Sequence, residues 1–371
     1  MPSYQMCTRC VMDTTDPLIT FDQNGVCSHC HFYERLNQKW NLKELIAQKK
    51  LDSVFKLIKE KQKSKKYDCI IGLSGGVDSS YVAYLAHQHG LRPLCIHLDN
   101  GWNSELATYN IHAIVEKFGF DLYTHVIDWE EFRELQRAFF KASVIDIEVL
   151  SDHAIFGVIV ELARNHGIKY MLSGTNFSSE AILPKAWVHR KQDLKNIKDI
   201  FKKHGQGKLK TFPQVSTLKH VFLMYGMGYK VIKPLNMIDY NKEKAKTFLM
   251  KEIGWRDYGG KHHESIFTKF YQNYILPTKF HVDKRRAHLS TLINSGQITR
   301  EEALKKLEAP LYDPKELQED QAYVLKKLNF TPEEFAAYLK AKPVPHLNYE
   351  SDQFVYELMV KGAEFLKVKV L

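Results

Sequence analysis

The segment Tyr67–His89 limits the fold of this 371-residue chain more than any other. Cys69–Leu73 is a short unbroken apolar run, the pattern of a strand buried on both faces, and Ser79–His89 reads as the helix after it. Between them lie Ser74, Gly75 and Gly76, with Asp78, Ser79 and Ser80 closing the loop. A buried strand passing through a glycine turn into a helix is the opening unit of a parallel sheet, because parallel strands need crossover helices to return. The glycines permit a sharp turn that aims backbone N–H groups at an anion, and the hydroxyls and helix amino terminus add donors. No lysine follows in the manner of GxxxxGK[ST], which argues against a kinase-type or GTPase-type phosphate loop.

Further strand–helix units continue the pattern. Leu94–Asp99 is a strand ending in an acid, followed by Asn100-Gly-Trp-Asn103, and Asp121–Ile127 is a third strand before a helix opening near Asp128–Glu131. The helix Asp152–Asn165 feeds Tyr170–Ser173, which runs into Gly174, Thr175 and Asn176. Val231–Leu235 is the last short strand and Asn241–Ile253 a helix. The fold class expected is α/β, a doubly wound parallel sheet, whose ligands sit at the carboxyl ends of the strands. The alternative for Asp99 is a plain turn or N-cap residue, and a glutamate at position 180 is equally an acid favourable to a helix dipole.

The amino terminus carries a different signal. Cys7-Thr-Arg-Cys10 and Cys27-Ser-His-Cys30 are two CxxC pairs 16 residues apart. That arrangement suits a tetrahedral, structural Zn2+ site in which four thiolates leave no open coordination position. An iron–sulfur cluster and ordinary reduced cysteines are the alternatives the spacing leaves open. The start has no apolar leader segment and no run reaches 18 apolar residues, so a cytoplasmic protein without a membrane span is expected.

The division expected is a four-cysteine zinc-binding module over 1–38, a lysine-rich linking helix over 39–66, the nucleotide-binding domain over 67–240 and a mostly helical region over 241–371. In the last, Gly254–Glu264 clusters Arg256, Lys261, His262, His263 and Glu264 beside glycines, a composition suited to a substrate or pyrophosphate loop. Ser295–Thr299 is a turn, with Thr299 and Glu302 forming a capping box. The net charge of +10 permits an anionic partner without specifying one.

Gly72-Leu-Ser-Gly-Gly-Val-Asp-Ser-Ser80 resembles the SGGxDS loop of the N-type ATP pyrophosphatases along its full length. The resemblance implies ATP as co-substrate, held by Ser74, Gly75, Gly76, Asp78, Ser79 and Ser80, with Mg2+ bridging its phosphates through Asp78 and Glu180. It also implies adenosine contacts from Asp99 and Asn100, α-phosphate contacts from Gly174, Thr175 and Asn176, and a pyrophosphate contact from Lys233 in Lys-Pro-Leu235. Lys261 is a further catalytic candidate.

CTRCVMDTTDP, GLSGGVDSS, LDNGWN, GTNFSSE and GWRDYGGKHHES together resemble the N-acetyl sugar amidotransferase family of surface-polysaccharide biosynthesis, including O-antigen and pseudaminic-acid enzymes. That family implies conversion of an acetamido group on a sugar, or on a nucleotide-sugar, to an acetamidino group. ATP would adenylate the amide oxygen and ammonia would displace AMP. The chain begins Met-Pro-Ser, without the terminal cysteine of one glutaminase class, so a separate glutaminase subunit is the expected partner, with a cyclase-like subunit beside it. Nucleic acid is not expected. The rival reading is a tRNA-modifying enzyme, thiolase or lysidine-type, which also pairs such a loop with cysteine modules. Against the thiolase, Cys69 and Cys95 lie within predicted strands, where a persulfide carrier would lack exposure.

Overall fold

Five strands, all parallel, form one sheet in the order β3-β2-β1-β4-β5: β1 Cys69–Gly72, β2 Pro93–Asp99, β3 Asp121–Val126, β4 Tyr170–Leu172 and β5 Lys230–Ile232. The computed structural model describes residues 3–40, 44–257, 259 and 264–365. Successive strands wind outward from β1 in opposite directions, so the loops leaving β1 and β4 part and open a crevice at their carboxyl ends.

The α-helices before β5 are α1 Ser28–Trp40, α2 Glu44–Gln62, α3 Val77–Gln88, α4 Glu105–Phe118, α5 Trp129–Ala142, α6 Val149–His166, the single turn α7 Phe177–Glu180, α8 Leu194–His204 and α9 Thr217–Val221. Alternation along β1 assigns them to layers. Cys69 and Ile71 face a core built from α2, α3, α4 and Leu249, whereas Ile70 faces Val158, Ile159 and Ala163 of α6. The lysine-rich α2 covers the first layer by burying Leu51, Phe55 and Ile58 at helical spacing. Each such side chain contributes ~1.5–3 kcal/mol on burial.

Beyond β5 the described residues are mainly helical: α10 Lys242–Ile253, α11 Ile266–Phe270, α12 Leu276–Phe280, α13 Lys284–Asn294, α14 Arg300–Glu308, α15 Pro314–Leu328, α16 Pro332–Lys340 and α17 Gln353–Phe365. A π turn over Tyr271–Ile275 joins α11 to α12 just before Pro277, which lacks the N–H that a regular helix would need there. The expected capping box holds: Glu302 N–H donates to Thr299 Oγ1 (3.1 Å) and Thr299 N–H to Glu302 Oε2 (2.7 Å). The final strand is shorter than expected and stops at Ile232, because Pro234 cannot donate to a neighbour and opens a 3-10 turn over Pro234–Met237.

The cysteine segment is no free appendage. Its four cysteines and Met12 belong to the same apolar core as Trp102, Phe132, Phe140, Phe267 and Phe270 of the sheet-side and carboxyl-terminal helices. Val11 joins Leu289 and Ala303 in a smaller cluster. Among the described residues no helix is long and apolar enough to cross a membrane.

Candidate functional site

The crevice at the switch point is built first by backbone. After β1, Gly75 adopts φ +80°, and a Cβ there would lie 2.5 Å from the carbonyl oxygen of Ala107. Only glycine fits both the angle and the space. The turn is tied from behind: Trp255 Nε1–H donates to the Gly75 carbonyl (2.9 Å), and Asn110 on α4 pairs with the backbone of Arg256 (2.7 and 2.9 Å). α3 then starts at Val77 with Gly76 as its N-cap and no side-chain cap, leaving its first-turn N–H groups available to an anion. The helix begins two residues before the sequence expectation.

Asp78, in that first turn, joins three elements. Its Oδ1 accepts from Tyr240 Oη (2.6 Å) and Asn176 Nδ2 (3.2 Å), and its Oδ2 accepts from Lys242 Nζ at the start of α10 (2.9 Å). Burial alone would lower the ammonium's pKa, but the Asp78 carboxylate outweighs it and holds Lys242 above its ordinary value. Burial, then the same carboxylate, pushes the Tyr240 phenol up, so it remains a donor. Gly174 sits where the loops after β1 and β4 touch, since a Cβ there would lie 3.0 Å from the Asp78 carbonyl carbon and the Ser79 nitrogen.

Above this junction is a cavity of about 410 Å3 lined by Ser74, Gly76, Asp78, Ser79, Gly174 and Glu180, and across from them by Lys242, Lys246, Asp257, Glu264 and His288. A second cavity of about 310 Å3 adjoins it, sharing Ser74 and Glu264. Its walls are apolar (Ile96, Leu98, Ile155, Met171, Phe267) with Asn100, Ser151 and Asp152 at polar points. His97, buried on β2, lines it too. Its Nδ1 bonds the Leu73 carbonyl (3.1 Å) and its Nε2 the Asn103 amide (3.1 Å), so Nδ1 carries the hydrogen and Nε2 accepts. Burial holds its pKa below the usual histidine value.

Of the residues singled out from sequence, the structure brings Ser74, Gly76, Asp78, Ser79, Gly174 and Glu180 to the first cavity and Ser74 and Asn100 to the second. Gly75 and Asn176 lie behind, shaping the loop and holding Asp78. Four others do not line these two cavities. Ser80 is fully buried and donates to the Gly76 carbonyl (2.6 Å), closing the helix instead of facing the cavity. Asp99 lines neither cavity and is used by its own turn, accepting from Gly101 N–H (2.9 Å). Thr175 is exposed at the tip of the loop after β4 and lines neither cavity. Lys233 is exposed and lines neither, standing as the N-cap of the 3-10 turn whose Leu235 and Asn236 are buried. Lys261 lies outside the described residues.

Sequence reading missed Lys242, Tyr240, His97 and Trp255. A lysine after Asn241 in a helix-start pattern looks like any solvated first-turn residue, and its partner is 164 residues away.

The four cysteines are all buried, and their sulfurs lie within 4.8 Å of one another. Cys10–Cys27, Cys27–Cys30 and Cys7–Cys30 Sγ separations are 3.6, 3.8 and 3.9 Å. A tetrahedron with Zn–S bonds of ~2.3 Å has edges of about 3.8 Å, so the set fits one zinc ion. The N–H groups of Cys10 and Cys27 point at Cys7 Sγ (3.4 and 3.2 Å), donors that favour a thiolate ligand.

Residues 53–176 match the family described as asparagine synthase, and residues 264–362 match the family described as LPS biosynthesis protein WbpG-like, C-terminal domain. Among curated proteins none matches the chain. Similar solved structures include an NH3-dependent NAD synthetase from Campylobacter jejuni, with 13% identity, TM-score 0.35, and coverage of 77% of this chain and 97% of that one. An NMN synthetase from Francisella tularensis shows 16% identity, TM-score 0.31, and coverage of 62% of this chain and 94% of that one.

Proposed function

Because the chain joins an asparagine-synthase-type ATP-pyrophosphatase domain to a WbpG-like carboxyl-terminal domain, we propose that it is an ATP-dependent C–N ligase acting on an acetamido sugar. The reading is carried by Asp78 with its three donors, set beneath a glycine loop and a helix amino terminus at the sheet's switch point. The triphosphate would lie in the larger cavity against the first-turn N–H groups of α3, with Lys242 and Lys246 opposite. The nucleoside would lie in the adjoining apolar-walled cavity, passing Asn100.

Asp78 already accepts from three groups and so uses most of its roughly four lone-pair sites. Glu180 and Glu264 line the same cavity and are further carboxylates that would offer oxygens to Mg2+. When bound, that ion would neutralise the phosphates. The chain's own residues then orient the α-phosphorus toward the amide oxygen. Attack by that oxygen breaks the bond to pyrophosphate and gives an adenylated imidate. Ammonia adds to its carbon, AMP leaves with the former amide oxygen, and an acetamidine remains. No protein nucleophile is needed. Ammonia would come from a partner glutaminase, as asparagine-synthase-type domains are commonly supplied, with a cyclase-like subunit as a further partner.

The tRNA-thiolation alternative is disfavoured by cysteine placement. All six cysteines are buried, and burial pushes the Cys69 thiol well up and the Cys95 thiol up to about 12, the reverse of an activated sulfur carrier.

The test supplies ATP, Mg2+, ammonium and a panel of acetamido sugars. The expected result is sugar-dependent AMP and a product lighter by about one mass unit, oxygen having been exchanged for NH. AMP formation that responds to tRNA and ignores every sugar would overturn the reading.

A further inference from the structure

The four-cysteine segment reaches the nucleotide crevice by two routes, and both end on the loop after β4. The first runs through α1, whose amino terminus carries Cys30. One turn later Tyr33, nearly fully buried, sets its ring 6.1 Å from that of Phe177, the residue after Asn176. Its hydroxyl lies toward the Ser295 side chain. Ser295 Oγ in turn accepts from Gln297 Nε2 (2.9 Å), and the same amide donates to the Ser178 carbonyl (2.9 Å).

The second route is α13. One side of this helix grips the cysteine loop: Ser290 Oγ accepts from Val11 N–H (3.2 Å), Arg286 pairs with the fully buried Asp13 (2.9 Å), and Asn294 Nδ2 lies 3.5 Å from Cys30 Sγ. Its other side grips the loop after β4. His288 Nδ1 bonds the Ser179 carbonyl (3.0 Å), and Thr291 Oγ1 accepts from Ile182 N–H (3.1 Å). Arg300, at the start of α14, donates to the carbonyls of Cys7 and Cys10 (both 3.1 Å).

The gripped loop is the one that positions the site. Asn176 holds Asp78 from it, Glu180 lines the cavity from it, and His288 lines the same cavity from the gripping helix. We propose that the metal-loaded cysteine centre is a positioning element of this crevice, keeping residues 176–182 in register with Asp78. Without the ion, four buried thiols within 4.8 Å lose their common partner. The carbonyls of Cys7 and Cys10, the Val11 N–H and the start of α1 then lose their fixed places. The loop loses Tyr33 and the Gln297 relay together. Coupling travels here through contiguous packed and hydrogen-bonded groups, which is the physical requirement for it. Its effect on ATP rests on the reading of the cavity given above; its effect on the loop does not.

Hydrogen exchange on the full chain, metal-loaded and after chelation under reducing conditions, tests this directly. Loss of one or two of these hydrogen bonds should speed exchange in 177–182 about tenfold while β1 and β2 keep their protection. Unchanged loop exchange with the metal gone and the strands intact would overturn the proposal. If chelation unfolds the whole chain, the double variant Tyr33→Leu, Gln297→Leu decides instead. It keeps all four cysteines, should retain one ion per chain by elemental analysis, and should loosen 177–182 by a similar factor; parent-like exchange there would refute the coupling. ATP is added to the loaded protein as a separate arm. Slower exchange over 74–80 is expected, with affinity about tenfold weaker in the loosened forms. No response to ATP, beside a metal-dependent loop, would reject the ATP reading and leave the coupling standing.

Discussion

Replacing Lys242 by methionine probes the site most directly. Its ammonium lies 2.9 Å from Asp78 Oδ2, and both side chains are about one-fifth exposed (20% and 18%). At an effective dielectric of ~20 the Coulomb attraction at this distance is about 6 kcal/mol, most of it offset by desolvation. A hydrogen bond to a charged group nets ~1.5–3 kcal/mol. Tyr240 and Asn176 still donate to Oδ1, so the carboxylate stays in place and the folding cost should fall at the low end of that range. The larger effect is on ATP, which loses a cation facing its phosphates: a loss of ~2–3 kcal/mol corresponds to about 30- to 150-fold in Kd. Calorimetric titration of Mg2+ and ATP into the variant reads this, and sugar-dependent AMP release should fall in step. Asp78→Asn and the double variant complete a cycle in which the two losses should not add, with a coupling energy of at least ~1 kcal/mol. Lys233→Met is the control, because that lysine is exposed and lines neither cavity. Parent-like ATP affinity in Lys242→Met, or an equal loss in Lys233→Met, would refute the assignment.

Three further outcomes are expected. Gly75→Ala forces a side chain into a left-handed angle and onto the Ala107 carbonyl, so urea unfolding should register about 2 kcal/mol or more of destabilisation. Arg286→Met removes the cation from the fully buried Asp13 carboxylate and leaves it the neutral donors Tyr4 and Thr15; it should cost ~1.5–3 kcal/mol and lower metal retention, whereas full metal retention and unchanged melting would contradict the docking. Burial, then the His189 ring stacked 4.3 Å away, pushes His346 down to about 3 from an ordinary 6.5. The folded ring is therefore neutral where the unfolded one binds a proton. Stability should decline as pH falls below 6.5 toward 3, by about 2 kcal/mol between pH 7 and pH 5. His346→Gln should flatten that dependence, and an unaltered slope would remove His346 as its source.

Local chemistry alone determined a good deal of this protein. The apolar run Cys69–Leu73, the glycine turn and the following helix specify one strand–loop–helix unit, and its repetition specifies a parallel sheet with its ligand edge at the strands' carboxyl ends. Two CxxC pairs define a metal-sized thiol set, because the spacing within each pair is itself a local geometry. Thr299 and Glu302 form their capping box for the same reason.

What depends on distant partners was decided only by the tertiary structure. Lys242 and Tyr240 reach Asp78 across 164 and 162 residues, and nothing in their neighbourhoods marks them. Ser80, attractive by position in a motif, spends its hydroxyl on the Gly76 carbonyl, and Lys233 stands exposed at the start of a proline-led turn. The cysteine segment reads as a separate module because its ligands are contiguous, yet its outer face packs on helices some 280 residues later. Hydrogen-bond donors and apolar faces are visible residue by residue. Which acceptor or partner satisfies each is settled by where the folded chain returns, and that sets both the charge around Asp78 and the grip on the loop beside it.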